Sequence, residues 1–272
     1  MMLGDNGPGW LFCPADRPER FDKAAAAADV VILDLEDGVA AKDREGARAA
    51  LVDTPLDPAR TVVRVNPAAT SDHALDLEAL ARTDYTTVML PKTESADRVS
   101  ALAPLKVVVL VETPLGALNV VESTRADNAF AVMWGAEDLF AATGGTANRW
   151  PDGRYRDVAV HVRSQTLLAA KAYGRLALDS VYLDIKNLDG LRAEVDDAVA
   201  VGFDAKVAIH PTQVAVIRDR FRPAAEQADW ARRVLDTARN QRGVFQFEGI
   251  MVDAPVLRRA ERIVGLAPHP GN

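Results

Sequence analysis

The sequence is poor in cysteine and histidine: one cysteine, Cys13, and four histidines occur in 272 residues. A single cysteine forms no intrachain disulfide, and Cys13 lies in an apolar run, where it reads as a small core residue. So few thiols and imidazoles argue against a zinc centre, which draws on those ligands. No basic segment followed by an apolar stretch opens the chain, so no signal peptide is expected. No apolar run reaches the roughly 20 residues that span a bilayer. A cytoplasmic protein without membrane contact is the expectation. Positive charge is not in excess: 32 Lys and Arg stand against 39 Asp and Glu, a formal net charge of -7. A nucleic-acid partner is not expected, because that surface needs clustered Lys and Arg. A locally basic pocket for an anionic cofactor is compatible with this balance. GxGxxG and P-loop motifs are absent.

What is present is a hydrophobic fraction of 49% with 26% charged residues, enough to bury a sizeable core. The length fits one large α/β barrel or two ordinary domains. Runs rich in Val, Ile and Leu recur at 10–13, 29–35, 61–66, 86–90, 106–111, 129–134, 180–183 and 205–209. They are nearly continuous apolar segments, the pattern of parallel strands covered on both faces. Helical candidates at 44–52, 74–82, 115–125, 158–173 and 191–201 lie between them, which implies βα units. About eight strands is the number of a (β/α)8 barrel. A doubly wound open sheet is the rival, but it usually carries a glycine-rich turn after its first strand. Here that place holds Pro14, Ala15, Asp16 and Arg17. The expected architecture is an α/β TIM barrel over 1–221 with a C-terminal helical extension over 222–272. Within the extension, 224–240 reads as a charged helix, Gly243 as its break, 244–252 as extended chain and 255–264 as a short helix. It is expected to be too small for a core of its own and to pack on a neighbouring subunit.

Polar residues follow the strands. Asp34, Glu36, Asp37 and Gly38 end the second, Arg64 and Asn66 lie in the third, and Pro91 and Lys92 end the fourth. Glu112 ends the fifth, Gly135, Ala136, Glu137 and Asp138 end the sixth, Asp184 the seventh, and His210 and Pro211 the eighth. Barrel active sites are built at these C-terminal ends. Solvated loops explain any one strand end equally well, but they explain the set poorly. Neighbouring strands lie about 4.8 Å apart, so Glu112 and Asp138 could reach one ion. Two carboxylates with open positions suit Mg2+, or Mn2+ as a substitute; a solvated or salt-bridged pair is the alternative. Arg64, inside a strand, needs a partner. A substrate carboxylate gripped bidentately is the functional reading, and a structural pair with Glu36 or Asp37 is the other. Asp37 could orient Arg64 or a water on the metal.

Five motifs appear in order: Leu33 to Val39 (LDLEDGV), Val63 to Asn66 (VRVN), Leu90 to Lys92 (LPK), Val111 to Pro114 (VETP) and Gly135 to Leu139 (GAEDL). Together they resemble the citrate lyase β-subunit group of the HpcH/HpaI aldolase superfamily, related to malyl-CoA and citramalyl-CoA lyases. The resemblance runs from Phe12 to about Val216. It implies a homotrimeric barrel enzyme with Glu112 and Asp138 as Mg2+ ligands. Arg64 would bind the substrate's carboxylate or oxo group, and the backbone at Gly135 and Ala136 would face the bound acid. Ile209, His210 and Pro211 match the part that lines the acyl-CoA site, and Arg17, Arg20 and Lys23 lie where relatives place basic residues for CoA phosphates. Asp253 resembles a C-terminal aspartate that reaches a neighbouring subunit's site. The chain departs from the pattern at Ala141, Ala142 and Thr143, where some citrate lyase subunits carry an acidic residue.

The implied activity is a Mg2+-dependent carbon–carbon lyase acting on a β-hydroxyacyl-CoA by retro-Claisen or retro-aldol chemistry, with an acyl-CoA and an oxo-acid as partners. The carbonyl fragment needs a Lewis acid, and the enolate oxygen needs positive charge or donors. Arg64 supplies charge, Asp253 is the candidate for the carbon proton, and a metal-bound water or Asp37 for the hydroxyl proton. A pyruvate-type class II aldolase on free acids would not need Arg17, Arg20 or Lys23. A citrate lyase β-type subunit would act on a thioester carried by a partner protein.

Overall fold

The computed structural model describes residues 6–267. In chain order the elements of the barrel are β1 (Gly9–Pro14), α1 (Phe21–Ala27), β2 (Val30–Asp34), α2 (Arg44–Asp53), β3 (Thr61–Arg64), α3 (Ser71–Leu80), β4 (Thr87–Leu90), α4 (Ala96–Ser100), β5 (Lys106–Val111), α5 (Pro114–Leu118), α6 (Val120–Arg125), β6 (Ala129–Trp134), α7 (Ala136–Thr143), α8 (Asp157–Ala172), β7 (Leu176–Asp179), α9 (Leu188–Val201) and β8 (Ala205–Ala208). There follow α10 (Pro211–Phe221), α11 (Ala225–Ala238), β9 (Phe245–Phe247), β10 (Ile250–Val252) and α12 (Ala254–Leu266). The eight strands β1 to β8 are parallel and close in sequence order, a (β/α)8 barrel. Closure is made where β1 meets β8, with Trp10 opposite Val207 and Leu11 opposite Ala208.

Side-chain parity decides what each strand does. The barrel interior is packed by Trp10, Val30, Ile32, Val62, Met89, Val108, Leu110, Ala131, Met133, Leu178, Ala205 and Val207. Residues two apart on one strand share a face. The same parity carried one step further places Asp34, Arg64, Glu112 and Gly135 over the C-terminal mouth of the barrel. The opposite parity holds Val31, Leu33, Val109 and Val132, all fully or nearly buried, under the helices. That double coverage is why the strands read as unbroken apolar runs.

One strand is displaced from its predicted place. The seventh is Leu176–Asp179, and 180–183 is the loop after it. Gly174, with φ of 63°, terminates the chain leaving α8, so the strand starts at once. Val181, Tyr182 and Leu183 have the β-branched and aromatic character of a strand, but lie beyond its end. Asp179, not Asp184, therefore ends β7. The predicted helix over 115–125 is two helices, broken at Asn119, whose side-chain amide donates to Glu94 O at 2.9 Å.

The described residues divide into two compact units between Ile217 and Arg218. The second contains α11, the antiparallel hairpin of β9 and β10, and α12. Contrary to expectation it has a small core: Ala231, Val234, Val252 and Ala260 are buried, with Trp230, Leu235, Phe245 and Leu257 packed against them. The hairpin supplies the apolar lid that helices alone would lack. No helix among the described residues is long and apolar enough to cross a membrane.

Candidate active site

The loop after β2 is organised by Asp34. Its Oδ1 accepts from the Glu36 N–H at 2.9 Å and its Oδ2 from the Gly38 N–H at 2.8 Å. The same two oxygens take Nε and Nη2 of Arg64 at 2.7 and 2.6 Å. Gly38 allows this, because a Cβ there would collide with Asp34 Oδ2. Glu36 Oε2 sits 3.0 Å from Arg64 Nη1 in ionic contact, and the Phe12 ring lies under the guanidinium at 4.6 Å. Burial opposes the charge on Arg64, but Asp34 more than restores it and holds its pKa above the usual range. Arg64 is thus a fixed, braced cation.

The structural partners of Arg64 are Asp34 and Glu36. Glu36 was one expected partner; Asp37 was the other, and that role is corrected. Asp37 is exposed and its carboxylate lies 3.5 Å from Lys92 Nζ. It lies in the turn that follows β2, which ends at Asp34.

Glu112 is 2% exposed. Its Oε1 accepts from the Lys92 N–H at 2.9 Å. Burial, then the like charges of Asp138 and Glu36, push its carboxyl up to about 8, against the pull of Arg64 and Lys92. Gly135 makes room for it: a Cβ there would lie 2.8 Å from Glu112 Oε2. Asp138 stands in the first turn of α7, with its Oδ1 3.4 Å from Lys92 Nζ. Ala136 begins that helix and is buried, and the Gly135 N–H is spent on Val111 O at 2.9 Å. Lys92 therefore ties the two expected metal ligands together, by main chain on one and side chain on the other. Its ammonium also takes Glu36 Oε1 at 2.5 Å. Burial opposes that charge as well, yet the Glu36 hydrogen bond and the neighbouring carboxylates hold Lys92 above the usual lysine range.

No group of three or more His, Cys, Asp and Glu side chains at metal-ligand spacing occurs among the described residues. The pair Glu112 and Asp138 fits a hard cation that keeps several waters, such as Mg2+. The donor set is all oxygen, and burial with the like charges of Asp138 and Glu36 disfavours a bare Glu112 carboxylate, which a cation would relieve.

The expected CoA residues fall in two groups. Arg17, Arg20 and Lys23 are exposed just past the end of β1. Arg17 and Arg20 make long ionic contacts, 3.8 Å each, to Asp16 and Glu19. Ile209, His210 and Pro211 follow β8. Because β1 and β8 are paired neighbours, both groups occupy one sector of the rim. Ile209 N–H is held by Gln213 Oε1 at 3.0 Å, and His210 Nδ1 lies 2.7 Å from Thr212 Oγ1. Asp253 lies in the second unit, where it caps α12 by accepting from the Val256 N–H at 3.3 Å.

Two residues gain importance that the sequence reading did not assign them, Asp34 and Lys92; Glu36, an expected partner of Arg64, also takes the Lys92 ammonium. The available signal was an acid or a lysine directly at the end of an apolar strand. A second ionic cluster was hidden by the displaced β7. Asp179, Lys206 and Trp134 share the outward parity, so they meet between barrel and helices. Lys206 Nζ donates to Asp179 at 3.0 Å, Glu194 at 2.9 Å and Ser180 O at 2.7 Å. Arg163 Nε and Trp134 Nε1 also donate to Asp179, at 2.9 and 2.8 Å. Burial works against the Asp179 charge, but Lys206 and Arg163 hold its pKa below the usual carboxylate range.

Residues 9–211 match the family described as HpcH/HpaI aldolase/citrate lyase. A citrate lyase subunit beta-like protein of Mycobacterium tuberculosis is 62% identical over 264 residues, 97% of each chain. The mitochondrial citramalyl-CoA lyase of Homo sapiens is 32% identical over 291 residues, 94% of this chain and 84% of that one. The crystal structure of protein CitE from Mycobacterium tuberculosis in complex with magnesium, acetoacetate and coenzyme A is similar with a TM-score of 0.93 and 62% identity, over 96% of this chain and 98% of that one. A family match over most of the chain, on a barrel with carboxylates and a braced arginine at its mouth, identifies it as a member of the HpcH/HpaI aldolase/citrate lyase family.

Proposed function

We propose that this protein is a divalent-metal-dependent carbon–carbon lyase that cleaves or forms a β-hydroxyacyl-CoA, such as citramalyl-, malyl- or hydroxymethylglutaryl-CoA. The observation that carries this reading is the buried Glu112 carboxyl at the barrel mouth, beside Asp138 and the braced Arg64. Glu112 and Asp138 would hold Mg2+, with Mn2+ as a substitute. When bound, the ion supplies the Lewis acidity that polarises a substrate oxygen. The similarity to a citramalyl-CoA lyase and to a protein crystallised with magnesium, acetoacetate and coenzyme A supports both the metal and the thioester.

The chain's own residues divide the remaining work. Arg64 gives one edge to Asp34 and has Nη1 in ionic contact with Glu36, and the remaining N–H donors of its five would meet a carboxylate or oxo group. Because Asp34 fixes its orientation, little reorganisation is needed as charge develops. The backbone at Gly135 and Ala136 would face the bound acid. Arg17, Arg20 and Lys23 would meet the CoA phosphates, and Ile209, His210 and Pro211 the acyl-CoA chain. Asp37, exposed at the rim, is the candidate for the hydroxyl proton. Asp253 would exchange the carbon proton in the site of a neighbouring subunit, within a homotrimer. A second reading is a β-type subunit acting on a carrier-bound citryl thioester; what favours it is the similarity to a citrate lyase subunit beta-like protein of Mycobacterium tuberculosis.

The test is a panel of malyl-, citramalyl-, hydroxymethylglutaryl- and citryl-CoA with purified protein, in Mg2+ and in chelator. Cleavage of at least one, lost in chelator, is expected. No cleavage of any thioester with metal present would sink the CoA-lyase reading.

A further inference from the structure

Lys92 places an ammonium inside the carboxylate cluster. Its Nζ lies 2.5 Å from Glu36 Oε1, 3.4 Å from Asp138 Oδ1 and 3.5 Å from Asp37 Oδ2. Its backbone has φ of 49°, a left-handed conformation that residues other than glycine seldom adopt. That turn is what lets the Lys92 N–H face Glu112 while its side chain reaches back over Asp138. Arg64 pairs with Asp34 and also meets Glu36, while Asp37 and Asp138 make their ion pairs with Lys92. Four carboxyl groups (Glu36, Asp37, Glu112 and Asp138) thus face Lys92. Asp138 is the point of conflict, since the ammonium and a divalent ion call on the same side chain.

We propose that Lys92 is a resident counter-cation of the metal site: its ammonium holds Asp138 when the divalent ion is away and yields it when the ion binds. The inference rests on the reading that Glu112 and Asp138 hold that ion. Lys92 is a positioning residue with two effects. It keeps the carboxylates gathered without metal, and it sets the affinity low enough for the ion to exchange. The sign of its effect separates this role from a purely structural one. A support, when removed, loosens the ligands and weakens metal binding. A competing cation, when removed, strengthens it, and one unit charge a few ångströms away is worth at least about tenfold in affinity even when well screened.

The experiment measures Mn2+ binding to the full chain, by titration calorimetry and by the electron paramagnetic resonance signal of free Mn2+, at fixed pH and ionic strength. Lys92→Met removes the charge and keeps the length. Lys92→Asn also removes it and suits the left-handed backbone, which guards against a folding failure. Lys92→Arg keeps the charge. The neutral variants are expected to bind Mn2+ at least about tenfold more tightly, and Lys92→Arg to bind it like the wild type. Unchanged or weaker binding by folded neutral variants overturns the inference while leaving the metal site standing. A wild type that binds no Mn2+ overturns the metal site itself.

Discussion

Arg64 shows how a strand-end residue gets its orientation from its buried neighbours. Asp34 holds it by two hydrogen bonds and is itself held by two backbone N–H groups. Lysine cannot reproduce that fork. Arg64→Lys is therefore expected to lower turnover by about a hundredfold or more, while a melting curve shows the barrel folded; near-normal turnover would remove Arg64 from the chemistry. The raised Glu112 pKa predicts a pH dependence. The folded protein holds a proton on Glu112 up to about pH 8, whereas a carboxyl of the ordinary 4.5 has lost it in the unfolded chain. Between those values the folded state binds more protons, so Glu112 lowers metal-free stability as pH rises through that window. A cation must displace the same proton, so Mn2+ affinity should climb from pH 6 to 8 with proton release. Calorimetry in two buffers of different ionisation enthalpy measures this; no release at pH 7 would contradict it. The positions of Glu112 and Arg64 at the barrel mouth were legible, because Glu112 stands directly after an apolar run and Arg64 is a lone charge inside one. The role of Lys92 was not, because it depends on a left-handed φ that no spacing announces.

The strands and their helices were legible where apolar runs coincide with real elements. β5 and β6 were read to the residue, and β1 to β4 and β8 nearly so. β7 was not, because its four residues, Leu176–Asp179, are a weaker strand signal than the loop that follows. The displacement hid the cluster around Lys206, which is fully buried. A buried ammonium is tolerated only with its partners, and removing one side of such a pair costs about 3–5 kcal/mol. Lys206→Met should fall at the lower end, since Arg163 and Trp134 remain on Asp179. Denaturant unfolding should show a loss of about 3 kcal/mol. A loss below about 1 kcal/mol would mean the cluster is not what joins β7 and β8 to α8 and α9.

At the scale of the molecule, the barrel supplies a complete rim of strand ends, and Asp253 lies in the second unit, where it caps α12. The core of that unit was not legible, because the β9 and β10 hairpin that completes it is three residues on each side. If Asp253 serves a neighbouring subunit, an Asp253→Ala chain and an Arg64→Ala chain, each inactive alone, should regain part of the activity when co-assembled. Sedimentation should then show a trimer. A monomer, or no recovery in mixed assemblies, would confine Asp253 to capping α12. The most direct test of the account is Mn2+ binding to the wild type, Glu112→Gln and Asp138→Asn at one pH, with circular dichroism melts alongside. The account predicts one ion per wild-type chain and a loss of about a hundredfold or more in affinity for each variant, with the barrel still folded. Wild-type affinity in folded Glu112→Gln would contradict it.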